Sequence, residues 1–131
     1  MSLVIDASVL VLAAEGHAAA LDLLSAPGDL HAPDLLLLEV ANALRGLERA
    51  GVLDAADVER AVSSLGHLAV RRHSHDALMA GIWALRHNLS AYDASYLALA
   101  ELKGLRLATA DVALAQVARK RIGSDQVTLL H

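Results

Sequence analysis

The chain contains no cysteine and no phenylalanine, and its only Trp and Tyr residues are Trp83, Tyr92 and Tyr96. Without cysteine there is no disulfide and no thiolate metal site, and a reducing compartment is compatible. Without phenylalanine the core must be Leu, Val and Ala, which favours closely packed helices. No run approaches the roughly 18 apolar residues of a membrane helix. The N-terminus lacks a basic region, and its apolar run is interrupted by Asp6. These absences lead us to expect a soluble cytoplasmic protein with no membrane contact. An excess of basic charge is also missing: 11 Lys and Arg face 15 Asp and Glu, for a net charge of −4. Proteins that hold nucleic acid by bulk electrostatics are usually basic. A nucleic-acid role here would need a local basic surface or a bound cation.

What is present is 131 residues, 56% of them hydrophobic. That is enough for one domain, taken as 1–131, and too apolar for disorder. Segments of two kinds alternate. Residues 3–6 read as a strand, followed by a helix from Ala7 and a second through LDLLS. Pro27-Gly28 breaks the chain, LHA at 30–32 is a short strand, and Pro33-Asp34 opens a helix to Ala50. Asp54 caps a helix to about Leu65, LAVRR at 68–72 is a strand, and a helix spans Asp76 to His87. Ser90 opens a helix that Gly104 ends, RLAT at 106–109 is a strand, Asp111 opens a helix to about Arg121, and QVTLL is a last strand. Strands separated by helices imply right-handed crossovers and a parallel sheet covered on both faces. Ligands of such sheets bind beyond the carboxyl ends of the strands, which here means Asp6 and the segment Thr109 to Asp111.

The tripeptide Asp-Ala-Ser occurs twice, at 6–8 in VIDASVLVLA and at 93–95 in AYDASYLALAE. Asp6, Asp93 and Asp111 all lie near helix N-termini, where a carboxylate caps free N–H groups and meets the positive dipole end. Ser90-x-x-Asp93 resembles a capping box with Asp in place of Glu. Glu39 is different. It lies mid-helix in PDLLLLEVANAL, bordering the stripe Leu36, Val40, Ala43, Leu47. It either reaches sideways to water, Arg45 or Arg49, or it is part of a site. If the four acids converge, their repulsion raises pKa values and costs stability unless a cation is bound. An all-oxygen donor set suits Mg²⁺ or Mn²⁺ rather than zinc. Such an ion polarises a phosphoryl oxygen and acidifies water, which is phosphodiester hydrolysis chemistry.

Four blocks, VIDASVL, LLLLEVANAL, SAYDASYLALAE and LATADVALA, together resemble the PIN-domain ribonucleases, and among them the VapC-type toxins of toxin–antitoxin pairs. The resemblance covers nearly the whole chain. It implies a three-layer α/β/α sandwich with a central, mostly parallel sheet of about four to five strands. It implies a Mg²⁺- or Mn²⁺-dependent endoribonuclease with Asp6, Glu39, Asp93 and Asp111 as catalytic metal ligands. Asp6 and Asp93 are the main ligands, and hydrolysis leaves 5′-phosphate and 3′-hydroxyl ends. By position Ser8, Asn42 and Thr109 are supporting residues. It further implies an RNA substrate, a cognate antitoxin laid in a groove, a homodimer, and contact with DNA only through the antitoxin. The alternative within this family is a catalytically silent module that binds an antitoxin or RNA without turnover.

Other features read more plainly. Arg119-Lys120-Arg121 either touches an RNA backbone or simply suits a helix C-terminus. His73-x-His75 has no clustered partner in sequence and is a poor metal motif. His17 and His31 read as loop residues. Trp83 and Tyr92 are expected to pack in the core, as is Tyr96, with a phenol in reach of the site. A phospho-accepting receiver domain needs a lysine at a late strand end, and Lys103 and Lys120 both read as helical. An acid-nucleophile phosphatase needs a second Asp two residues after Asp6, where Ser8 stands.

Overall fold

A computed structural model describes residues 2–131. Five short strands form one sheet: β1 (Leu3–Ile5), β2 (Leu30–Pro33), β3 (Val70–His73), β4 (Arg106–Thr109) and β5 (Val127–Leu129). Their order is β3-β2-β1-β4-β5, and every neighbouring pair is parallel. The sheet is therefore wholly rather than mostly parallel. Succession runs outward from β1 to β3, then restarts at β4 on the other side of β1. The β1/β4 boundary is thus the topological switch point, where a crevice opens beyond the strand ends.

Seven helices connect and flank these strands: α1 (Ala7–Ala14), α2 (Ala18–Ser25), α3 (Leu36–Arg49), α4 (Ala55–Leu65), α5 (Met79–Ala84), α6 (Ala91–Lys103) and α7 (Val112–Ile122). Helices α1 to α4 pack on one another, whereas α6 lies along β1, β2 and β4 with α5 against it. Residues Ala94 to Ala100 of α6 are all buried. A helix hydrophobic on every side belongs inside, and its alanines let neighbours approach closely. Gly104 ends it at φ 63°, the left-handed conformation that glycine adopts without a Cβ clash. The core is aliphatic, with Val4, Ile5, Leu36, Leu97, Leu99, Leu107 and Leu114 almost fully enclosed. Among the described residues, no single helix is long and apolar enough to cross a membrane.

Three local expectations change. The helix predicted from Pro33 begins at Leu36, because Pro33 pairs with His73 in the β2/β3 ladder. The helix predicted over 76–87 is a 3₁₀ turn at His75–Leu78 followed by the six-residue α5. His31 lies in β2, inside the strand expected at 30–32 and not in a loop.

Candidate active site

The parallel pairing of β1 with β4 builds the first half of the site. Ile5 stands opposite Ala108, and the Asp6 N–H donates to the Ala108 carbonyl at 3.3 Å. Asp6 therefore meets Thr109, whose Oγ1 donates to Asp6 Oδ2 at 2.5 Å. Ser8 Oγ donates to Oδ1 at 2.5 Å, and the Ser8 N–H donates to the same oxygen at 3.1 Å. Asp6 is both the N-cap of α1 and a buried carboxyl, 5% exposed. The two hydroxyls also accept. The Ala110 N–H donates to Ser8 Oγ at 2.8 Å, and the Asp111 N–H donates to Thr109 Oγ1 at 2.9 Å. Through these relays the turn that carries Asp111 is tied to Asp6. Asp111 itself caps α7, its Oδ1 accepting from the Leu114 N–H at 3.1 Å.

Helix α6 supplies the second half. Ser90 caps it, accepting from the Asp93 N–H at 3.2 Å, and this fixes Asp93 in the first turn. One turn later Tyr96 is buried, 1% exposed, and its hydroxyl donates to Glu39 Oε1 of α3 at 2.5 Å. Glu39 is half-buried and tied to α6, rather than bonded to Arg45 or Arg49. Asn42 is exposed on α3. Thus hydrogen bonds join Asp6, Ser8, Thr109 and the turn of Asp111 at the switch point, and Tyr96 ties Glu39 to the helix that carries Asp93.

The electrostatics show mutual influence. Burial is the largest cause lifting the Asp6 carboxyl from 3.8 to about 6. Hydrogen bonds from Ser8, Thr109 and the Val9 backbone oppose that rise, while the charge of Asp111 adds to it. The Asp93 carboxyl is also raised, first by burial and then by Asp111. The Tyr96 phenol is pushed up by burial, then by its bond to Glu39, with Asp6 and Asp93 contributing. No Lys or Arg charge offsets the rise of Asp6 or Asp93. Ion pairs elsewhere join Arg60 to Asp57, Arg71 to Asp29 and Arg121 to Glu101. As the side chains lie, no three His, Asp or Glu residues among those described are close enough to hold a metal ion.

Tyr96 is the residue whose role sequence reasoning left open. Its signal was its position three residues after Asp93, on the same helical face. Two aromatic expectations are overturned. Trp83 and Tyr92 are each 64% exposed, Trp83 because Leu78, Ile82 and Leu85 already fill the inner face of the α5 segment. His73 and His75 do not act as a pair. His73 Nε2 lies 2.9 Å from Nδ1 of His31, with the rings stacked, and His75 Nε2 accepts from the Leu35 N–H.

Comparison with known proteins adds a second line. The PIN-domain family profile matches residues 3–120. VapC ribonuclease Mb0985 of Mycobacterium bovis is 44% identical over 112 residues, covering 86% of this chain and 87% of the relative. The crystal structure of PAE2754 from Pyrobaculum aerophilum superposes with a TM-score of 0.65 at 28% identity, over 88% of this chain and 78% of that one. Mycobacterium tuberculosis VapC20, described as a sarcin–ricin-loop-cleaving toxin, shares the fold with a TM-score of 0.63 at 20% identity, over 88% and 94% of the two chains.

Proposed function

The chain belongs to the PIN-domain family, and from that premise we propose that it is an endoribonuclease acting as the toxin of a toxin–antitoxin pair. The observation that carries this reading is the buried Asp6 carboxyl, held on both oxygens by hydroxyls and repelled by Asp111, with no basic partner. A carboxylate so placed is costly to ionise unless a cation joins it.

The donor set fits Mg²⁺ or Mn²⁺, being all oxygen and strongly negative. Asp6 and Asp93 would be the main ligands, with Glu39 and Asp111 completing the field directly or through water. The bound ion would supply charge neutralisation, polarisation of a phosphoryl oxygen and acidification of a water. The chain's own residues do the positioning. Ser8 and Thr109 fix the direction of both Asp6 oxygens, so the carboxylate needs no reorganisation. Tyr96 occupies Oε1 of Glu39 and leaves Oε2 to orient the attacking water. In-line attack forms a phosphorus–oxygen bond and breaks the bond to the 3′ oxygen, giving 5′-phosphate and 3′-hydroxyl ends.

The partners follow from the same reading. RNA is the substrate. A small antitoxin inserts an apolar segment into the 430 Å³ groove between α1, α2, α3 and α4, where Leu10, Leu21, Leu24, Val40, Leu44 and Leu65 form the walls. The toxin works as a homodimer, and DNA is reached only through the antitoxin.

The test is cleavage of end-labelled structured RNAs with Mn²⁺ or Mg²⁺, with excess EDTA, and with an Asp6→Asn, Asp93→Asn double variant checked for folding. Metal-dependent cleavage that disappears in the variant, with 5′-phosphate products, is the expected result. Cleavage surviving both EDTA and the substitutions would reject the assigned site. Antitoxin or RNA binding without turnover would favour the silent-module alternative.

A further inference from the structure

We infer that Trp83, braced by Arg86, is a stacking platform for an unpaired base of the RNA, placed at the same end of the fold as the acids. The inference rests on the RNA-processing reading above.

The argument begins with economy. A chain with one Trp, two Tyr and no Phe would be expected to spend them inside. Only Tyr96 is buried, whereas Trp83 and Tyr92 are each 64% exposed. Both exposed rings flank the short segment that leads into α6 and Asp93. Position along the helices follows from packing. A Cβ placed on Gly81 of α5 would lie 3.0 Å from Cβ of Ala98 in α6, so the two helices touch there. The link between α5 and α6 is short, hence the last turn of α5 lies beside the first turn of α6. Trp83 stands in that last turn, Tyr92 and Asp93 in that first turn.

The indole is prepared on one side. The Arg86 guanidinium carbon lies 4.6 Å from the ring centroid, and Arg86 Nη1 donates to the Trp83 carbonyl at 2.8 Å. This bond holds the cation over the ring, and Arg86 has no carboxylate partner among the described residues. A flat ring backed by an unneutralised guanidinium offers a π-face to a base and a charge to its phosphate. In a chain of net charge −4, such a local cation is what binding a polyanion requires. Met79, one turn before Trp83, is 52% exposed and gives the patch some apolar character. A twofold contact between copies centred on Trp83 would set two Arg86 guanidiniums against each other, so the chemistry favours RNA.

Trp83 is the only tryptophan, so its emission reports this position alone. The full chain is titrated in EDTA with a short single-stranded oligoadenylate, with inorganic tripolyphosphate as the charge control. Saturable quenching by oligoadenylate, with little response to tripolyphosphate, is expected. Labelled-RNA anisotropy should show Trp83→Ala weakening binding about tenfold, as loss of one stacked base does. Arg86→Ala should weaken it less. Circular dichroism should stay unchanged, since the ring is exposed. Under metal-supported cleavage, Trp83→Ala should raise KM more than it lowers kcat. Unchanged emission while anisotropy records bound RNA would overturn the inference, as would the absence of any RNA binding. A concentration-dependent emission shift with dimer formation, both removed by Trp83→Ala, would assign the patch to a second copy instead. Cleavage abolished by the Asp6 and Asp93 substitutions but indifferent to Trp83 would leave the nuclease reading intact and remove only this one. Quenching without any cleavage would do the reverse.

Discussion

Asp6 is 5% exposed and accepts from two hydroxyls, yet its carboxyl titrates near 6 rather than 3.8, because desolvation outweighs those bonds. A raised carboxyl pKa means that the folded chain holds its proton more tightly than the unfolded one. Stability from this group is therefore full below pH 3.8, falls as pH rises to about 6, and stays low above that. The loss is about 3 kcal/mol in the metal-free protein. Asp6→Asn removes the titration. Urea unfolding in EDTA should show the variant gaining on the parent by about that amount between acid and neutral pH. A pH-independent difference would mean that burial is not the main cause. Tyr96→Phe tests the neighbouring bond. Its loss should cost about 1 kcal/mol in urea unfolding and lower kcat, since Glu39 is then free to turn. Unchanged kcat with reduced stability would make Tyr96 a packing residue only.

Helix α6 carries Asp93 and Tyr96, and its placement depends on close approach. A Cβ on Gly81 of α5 would press on the Ala98 Cβ at 3.0 Å, so the larger Gly81→Val should destabilise by about 1–3 kcal/mol and displace α6 with its acid. Thermal unfolding together with RNA cleavage checks this, and a stable, fully active variant would show that α5 is not a brace. Elements with strong local signals were legible in the sequence. The apolar strands β1 and β4, the caps Asp54, Ser90 and Asp111, and the stop at Gly104 all stand where the residues place them. The α5 segment was not legible, because its start is decided by tertiary contact. Ser74 caps a 3₁₀ turn there, and His75 turns back to the Leu35 N–H. The exposure of Trp83 was readable in principle. Leu78, Ile82 and Leu85 complete a helical stripe that leaves Trp83 beside it.

Across the whole molecule, the switch point between β1 and β4 concentrates negative charge that the sequence spreads over a hundred residues. Asp6 and Asp111 could be placed from strand ends alone, since parallel neighbours put their carboxyl termini at one edge. The bond between Tyr96 and Glu39 could not, because it joins residues 57 apart on different helices and depends on how α3 meets α6. The charge of Asp111 raises both the Asp6 and the Asp93 carboxyl, so ionising either of those two works against the same neighbour. A divalent cation that binds the folded chain alone must then stabilise it, by about 2.7 kcal/mol at a hundredfold excess over Kd. Mn²⁺ or Mg²⁺ should raise the thermal midpoint above that in NaCl of equal ionic strength, with excess EDTA reversing the shift. On the proposed ligand set, Asp93→Asn should shrink it. A midpoint that follows ionic strength alone, in parent and variant alike, would show that the acids merely repel one another across a solvated crevice.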